Sequence, residues 1–339
     1  MAIFSLNAAL DLGSVSTSVR ATPEGELITQ PSYVAVSADG HEIVAVGEEA
    51  KSLTGRLLGG IVVKRPIKNG VITDTELVEV MIKYFLKNTL KTSITKGISK
   101  MTMAIPCDSN ELEKAAMEST GFHAGAREVY LIETPIAAAL GSGVDIFSNS
   151  GVLVVDIGAQ KSDIGMVSLG GLVYGGTTKV AGDTFSEVIL NYMRDSLGVI
   201  VGENTAEHIK VEIGGVNSSK NTKIINVRGR SIENGMPMEV QVGNLEIVQG
   251  MRNVADKLCT DIKEVISQIP PEFAADIIDN GILLTGKGAL LEGIAEFISE
   301  NTGIKTCISD NTADAVIDGL YMSIERIGKK GLRSNFETA

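Results

Sequence analysis

Ala8-Ala9-Leu10-Asp11-Leu12-Gly13-Ser14 and Val152-Leu153-Val154-Val155-Asp156-Ile157-Gly158 are two versions of one local design. Each is a short apolar run that ends in Asp-x-Gly and is followed by a turn and a second strand-like run, Asp163 to Ser168 in the later copy. Apolar runs this short read as buried strands. An aspartate at the end of such a strand places a carboxylate at the mouth of a hairpin. The glycine after it lets the backbone approach whatever binds there. From Ser14 to Thr17 the turn offers amides and hydroxyls, a suitable nest for phosphate oxygens. One such turn is an ordinary strand end. Two of them, one per half, predict similar lobes facing each other across a cleft. Opposed turns of this kind can grip the β- and γ-phosphates of a nucleotide, while Asp11 and Asp156 hold Mg2+ mostly through its waters.

Outward from these turns, short apolar runs alternate with helical periods, which is an α/β pattern. Stripes at Leu77, Val78, Met81, Ile82, Phe85 and Leu86, and at Phe185, Val188, Ile189, Tyr192 and Met193, predict helices after Asp74 and Asp183. Two more begin near Met251 and Val316. Alternating residues between Lys223 and Val242 flank Asn234-Gly235, a hairpin signal. A third apolar strand, Gly281 to Thr285, runs into Gly286-Lys287-Gly288 and a stripe at Leu290, Leu291 and Ile294. That reads as a helix N-terminus whose free amides suit an anion or a closely approaching ligand. Val180-Ala181-Gly182-Asp183 precedes another helix, with Asp183 as a candidate N-cap. Glu207 and Lys210 stand one turn apart on a helix expected to begin near Thr205, an i,i+3 pair.

The 339 residues exceed the usual size of a single core, so two domains or a nested arrangement is expected. A formal net charge of −12 argues against a general nucleic-acid binder, whose footprint is basic. An acidic chain can still hold a polyphosphate if backbone amides and a cation balance the local charge. Cys107, Cys259 and Cys307 have no CxxC spacing and read as reduced thiols. No secretory signal is evident, and no stretch approaches the roughly 20 apolar residues that span a bilayer. A cytoplasmic protein is expected.

At these motifs the chain resembles the actin superfamily and, within it, the bacterial MreB family. The resemblance runs through Asp11-Leu12-Gly13-Ser14, Ala45-Val46-Gly47-Glu48-Glu49-Ala50, Arg65-Pro66-Ile67-Lys68-Asn69-Gly70-Val71-Ile72 and Ala124 to Glu133. It continues at Ser168-Leu169-Gly170-Gly171, Val180 to Asp183, Pro270-Pro271-Glu272 and Leu284-Thr285-Gly286. It implies an actin-like α/β fold, with two ribonuclease-H-like half-domains flanking a nucleotide cleft and a small subdomain inserted in each. The implied partition is 1–32, 67–147 and 313–339 for subdomain IA, and 33–66 for IB. Subdomain IIA would take 148–181 and 245–312, and IIB 182–244. The resemblance further implies that Gly13, Ser14, Val15 and Ser16 face Gly158, Ala159, Gln160 and Lys161 across the phosphates of ATP or ADP. Asp11 and Asp156 would organise Mg2+. Gly182 and Asp183 would join the nucleotide site, Glu207 and Lys210 would meet ribose and adenine, and Gly286, Lys287 and Gly288 would back the adenosine. Homopolymeric filaments concerned with cell shape, their cleft closure coupled to ATP, are the implied function.

The second turn departs from the family pattern Asp-Ile-Gly-Gly-Gly-Thr-Thr-Glu, reading Asp156-Ile157-Gly158-Ala159-Gln160-Lys161-Ser162-Asp163. Two glycines have gained side chains, and a lysine stands beside the expected γ-phosphate. The acidic residue that precedes the proline in the family's Glu-Glu-Pro is Thr134 here, before Pro135. That acid is the expected positioner of the attacking water. Thr134, Asp156 and Asp163 are therefore the candidate catalytic residues. Losing a group that orients or deprotonates water costs about 10²–10⁴-fold in rate, so ATP binding with slow hydrolysis is expected. Lys287 replaces a family glycine and is expected to point to solvent. These departures suggest a divergent paralogue.

Candidate partners are the chain itself, other actin-like paralogues and the inner face of the membrane. Ile3, Phe4 and Leu6 make a meagre insertion peptide and suit a first-strand extension better. Arg326, Lys329, Lys330 and Arg333 form a basic tail, worth roughly 1 kcal/mol per residue at an anionic surface and more effective when repeated along a filament. Competing functions are a non-polymerising nucleotide-dependent binding module and a plasmid-segregation-type actin homologue. A sugar kinase would need larger insertions, and a heat-shock-type chaperone would need a peptide-binding domain.

Overall fold

The computed structural model describes residues 6–22, 26–55, 59–90, 97–217 and 222–326. In the first half, β1 (Leu6–Leu12), β2 (Ser16–Ala21) and β3 (Ile28–Pro31) form a meander. Strands β4 (Val34–Ser37), β5 (Ile43–Val46) and β6 (Ile61–Lys64) make a small sheet beside the short helix α1 (Glu48–Ser52). A two-stranded ribbon, β7 (Ile67–Lys68) and β8 (Val71–Ile72), leads to helix α2 (Thr75–Leu90). Strand β9 (Ile98–Ile105), helix α3 (Glu111–His123), strand β10 (Ala126–Glu133) and helix α4 (Thr134–Gly141) follow.

The second half repeats the plan. It opens with β11 (Val152–Ile157), β12 (Ser162–Ser168) and β13 (Gly171–Thr178), then helix α5 (Gly182–Asp195). A small sheet of β14 (Val199–Ile200), β15 (Ile224–Ser231) and β16 (Pro237–Gly243) accompanies helix α6 (Glu203–Ile213). Helices α7 (Asn244–Gln268) and α8 (Ala274–Asn280), strand β17 (Ile282–Thr285), helix α9 (Ile294–Thr302), strand β18 (Thr306–Ile308) and helix α10 (Ala315–Arg326) complete it.

The main sheets have strand orders β3-β2-β1-β9-β10 and β13-β12-β11-β17-β18. The matching pairs agree in direction. β1–β2 and β11–β12 are antiparallel, as are β2–β3 and β12–β13. β1–β9, β9–β10, β11–β17 and β17–β18 are parallel. The duplication read from Asp-x-Gly is thus a duplication of whole sheets. It puts Asp11 and Asp156 at the same place on equivalent central strands.

Each sheet buries its own core. In one, Leu10, Met81, Phe85 and Met103 pack together; in the other, Val155, Phe185, Met251 and Leu258 do so. A third cluster joins the halves, where Ile136, Ala138 and Leu140 of α4 meet Val316, Ile317 and Leu320 of α10, with Val154 of β11 beneath. The two helices cross at Gly141 and Gly319, where a Cβ on either would collide with the other helix's backbone. At this crossing the two helix backbones meet with no side chain between them.

Several local expectations shift. The stripe after Gly286 is not a helix N-terminus. Lys287–Leu290 form a single 3-10 turn, and α9 starts only at Ile294, because Gly293 at φ 81 breaks the run. Asp183 lies in the first turn of α5, and the N-cap is Ala181. Helix α6 begins at Glu203 rather than near Thr205. The hairpin at Asn234-Gly235 is present, but only Gly235 takes a positive φ, 72°, so the loop is longer than a two-residue turn. Leu6 opens β1, whereas Ile3, Phe4, Lys329, Lys330 and Arg333 lie outside the described residues. Arg326 sits over the Phe147 ring, 5.5 Å from its centroid, and so packs on the fold. No helix among the described residues is long and apolar enough to cross a membrane.

Candidate functional site

A cleft of about 980 Å³ opens between the two sheets. Every residue singled out above for catalysis, metal or nucleotide lines it, from Asp11 and Gly13–Ser16 to Gly286–Gly288. The reason is topological: equivalent strand ends of a duplicated sheet face each other.

The two turns need glycine for one steric reason. A Cβ on Gly13 would come within 2.5 Å of the Ser16 carbonyl oxygen, and one on Gly158 within 2.7 Å of the Lys161 carbonyl oxygen. The first turn is held by its own lobe. Ser32 Oγ donates to the Gly13 carbonyl at 2.6 Å, and Ser14 Oγ accepts from the Gly70 amide at 3.0 Å. The second turn is held by α5, whose first amides turn back to it. Gly182 N–H donates to the Gly158 carbonyl at 3.0 Å and Asp183 N–H to the Ala159 carbonyl at 2.7 Å. Those two amides are therefore committed to shaping the turn.

Three carboxylates line the cleft floor. Burial pushes Asp11 up to about 6, although the Lys287 charge pulls it down. Burial pushes Asp156 further, to about 7, against the lowering effect of the Thr285 hydroxyl, which donates to its Oδ1 at 2.8 Å. The neighbouring charges of Asp163 and Asp11 add to that rise. Asp163 is also raised by burial, even though its Oδ1 accepts from Thr177 Oγ1 at 2.7 Å and from the Cys107 amide at 2.9 Å. Among the described residues no three His, Cys, Asp or Glu side chains stand close enough to hold a metal directly. The donor set therefore suits a hydrated cation whose remaining partners are phosphate oxygens, the usual habit of Mg2+.

Thr134 opens α4 and is buried, with its hydroxyl donating to the Ile105 carbonyl at 3.0 Å. With its proton committed there, the oxygen can only accept from the cleft side.

Lys161 does not hang free beside the turn. Its ammonium meets Asp108 Oδ1 at 3.2 Å. Gln160 Oε1 accepts from the Asn69 amide at 2.8 Å, while its Nε2 donates to Asp183 Oδ2 at 3.0 Å. Lys210 pairs with Glu207 at 2.6 Å and also donates to the Gly182 carbonyl at 2.9 Å, so the shielded lysine buttresses the start of α5 while the Glu207 side chain stays half exposed. Ser186 Oγ donates to Glu207 Oε2 at 2.9 Å. Gly286, at φ 79, presses on the Ile157 backbone where any Cβ would clash. Lys287 is exposed.

Sequence reasoning gave no role to Thr285, Thr177, Cys107, Asp108, Asn69 or Ser32. Asn69-Gly70 carried a usable signal. Both take positive φ, 51° and 72°, as a two-residue Asn-Gly hairpin between β7 and β8 requires.

Fold and cleft together define an actin-like protein, two similar lobes with opposed Asp-x-Gly turns facing one cleft. The MreB/Mbl protein family model matches residues 5–331. The chain belongs to that family. It is 36% identical over 336 residues to the cell shape-determining protein Mbl of Bacillus cereus, covering 98% of this chain and 100% of the relative. It is 34% identical over 333 residues to the cell shape-determining protein MreB of Escherichia coli, with 97% and 96% covered. Among solved structures, MreB5 of Spiroplasma citri bound to ADP superposes with a TM-score of 0.89 at 29% identity, covering 96% of this chain and 97% of that one. The MamK double helical filament shares the fold, with a TM-score of 0.76 at 18% identity and 94% and 99% covered.

Proposed function

We propose that this protein binds ATP with Mg2+ between its two turns, assembles into cell-shape filaments, and hydrolyses the nucleotide slowly. The observation that carries the reading is the pair of Asp-x-Gly turns on equivalent strands, facing one cleft with the carboxylates of Asp11 and Asp156 behind them. Relatives named for cell-shape determination, and a similar structure bound to ADP, support it.

In this reading the amides of Gly13–Ser16 and Gly158–Lys161 cradle the β- and γ-phosphates. Asp11 and Asp156 would hold Mg2+ through its waters, and the cation would supply positive charge beside the phosphates and these carboxylates. Glu207, Lys210 and Gly286–Gly288 surround the nucleoside. Asp163 helps to hold the second turn's strand and the approach of water. Thr134 accepts a hydrogen bond from the attacking water and so orients it. A hydroxyl cannot take up the proton, so the general-base contribution is missing. The proposed subdomain limits are 33–66 and 182–244 for the two insertions, and the small sheets β4–β6 and β14–β16 support them.

Calorimetric titration with ATP, phosphate release and electron microscopy with ATP and Mg2+ test the reading together. Binding, slow release and filaments are expected. A chain that binds ATP but stays monomeric under these conditions would be a binding module instead. Release as fast as that of a family member with the acidic residue would remove Thr134 from the account.

A further inference from the structure

The second turn carries two long side chains, and both leave their own lobe. Gln160 is committed at each end: its carboxamide oxygen accepts from the Asn69 amide of the first lobe, and its nitrogen donates to Asp183 on α5. Asn69 and Gly70 occupy left-handed backbone in a tight ribbon turn, so the donating Asn69 amide is presented in a fixed direction. Lys161 runs beside that turn, in van der Waals reach of Gly70. A Cβ there would stand 3.5 Å from Lys161 Cδ. Its ammonium then reaches Asp108, which follows β9 in the first lobe. The Lys161 side chain is 15% exposed and that of Asp108 51%, so the ion pair is shielded on the lysine side and open to solvent on the other.

We propose that Gln160 and Lys161 form a latch between the lobes, built from protein groups alone, that holds the cleft shut and slows nucleotide exchange. The latch acts with or without a ligand; its effect on exchange rests on the nucleotide reading above. Each lobe contributes what the other needs: a backbone donor and a carboxylate from the first, a carboxamide and an ammonium from the second. Parting the lobes would break both contacts together.

Two measurements on the full chain test this. The first is hydrogen–deuterium exchange of the nucleotide-free protein, read at the Asn69 amide. Gln160→Ala removes its acceptor, and Asp108→Asn weakens the latch while leaving the second turn's sequence untouched. Both should raise uptake at Asn69 while β1 and β11 stay protected. Asp108→Glu, which keeps the charge, should behave as the unsubstituted chain. Unchanged uptake at Asn69 in both Gln160→Ala and Asp108→Asn would overturn the latch.

The second is release of a fluorescent ATP analogue chased by excess ATP. Release should quicken by about 2- to 5-fold in Asp108→Asn and by roughly 5-fold in Gln160→Ala. Raised uptake with unchanged release would overturn the control of exchange. If the unsubstituted chain binds no analogue, the nucleotide reading fails, and hydrogen exchange alone still decides whether the lobes are latched.

Discussion

At the end of β1 the turn Gly13–Ser16 is held from within its own lobe, by Ser32 on its carbonyl and by the Gly70 amide on Ser14. At the end of β11 the turn Gly158–Lys161 takes its backbone support from α5 but sends both long side chains to the opposite lobe. The strand order, the aspartate and the obligatory glycine are common to both; the side chains are not. A backbone nest for phosphate tolerates divergence in what its side chains do, provided the glycine that shapes it and the strand that carries the carboxylate remain. In this chain one copy of the duplicated device keeps its side-chain contacts within its lobe, and the other reaches across to the first lobe.

The largest effect should come from Thr134, at the head of α4 in the first half. Thr134→Glu restores an acid at the head of α4 and is expected to raise phosphate release about 10²-fold. A rate unchanged from the parent would mean that the slow step lies elsewhere. Next, the shared backbone predicts equal injury in both lobes. Gly13→Ala and Gly158→Ala each force a Cβ against a carbonyl oxygen, and each should weaken ATP binding by about 2 kcal/mol, roughly 30-fold. A tenfold disparity in calorimetry would break the equivalence of the turns.

The two aspartates sharpen the comparison through pH. Both keep protons in the folded state that the unfolded chain, near 3.8, has already released. The folded state therefore binds more protons between about 4 and 7, and the nucleotide-free protein loses stability as pH rises through that window. The loss should level off above about 7, where Asp156 has ionised. Asp156→Asn should abolish most of this slope and raise the Tm at pH 8 by about 5 °C, while Asp11→Asn should remove only the part that ends near pH 6. A melting temperature that climbs from pH 5 to 8 would contradict the assignment. The smallest effect is expected at the cleft rim, where Arg65 meets the exposed Glu203 at 2.7 Å. Arg65→Ala should quicken nucleotide release less than about 5-fold, and less still at high salt.

The sheets were legible because burial on both faces leaves an unbroken apolar run, and because the same run ended twice in Asp-x-Gly. Helices α2, α5, α7 and α10 were legible from their stripes. What the sequence hid was partnership across the fold. Thr285 meets Asp156, Asp108 meets Lys161 and the Cys107 amide meets Asp163 only after distant segments converge, and such contacts leave no periodic trace in the chain. The segment after Gly286 misled for a local reason: apolar residues at helical spacing there belong to a 3-10 turn and a separate helix, divided by the left-handed Gly293. Its position in the second turn places Lys161 at the cleft, but its ion pair with Asp108 of the other lobe was not legible.

The most direct test of the account is a crystal structure of the protein with Mg2+ and a non-hydrolysable ATP analogue. The account predicts the β- and γ-phosphates between Gly13–Ser16 and Gly158–Lys161, with the hydrated cation bridging toward Asp11 and Asp156. Phosphate density outside this cleft, or a cation with neither carboxylate in its water shell, would contradict it.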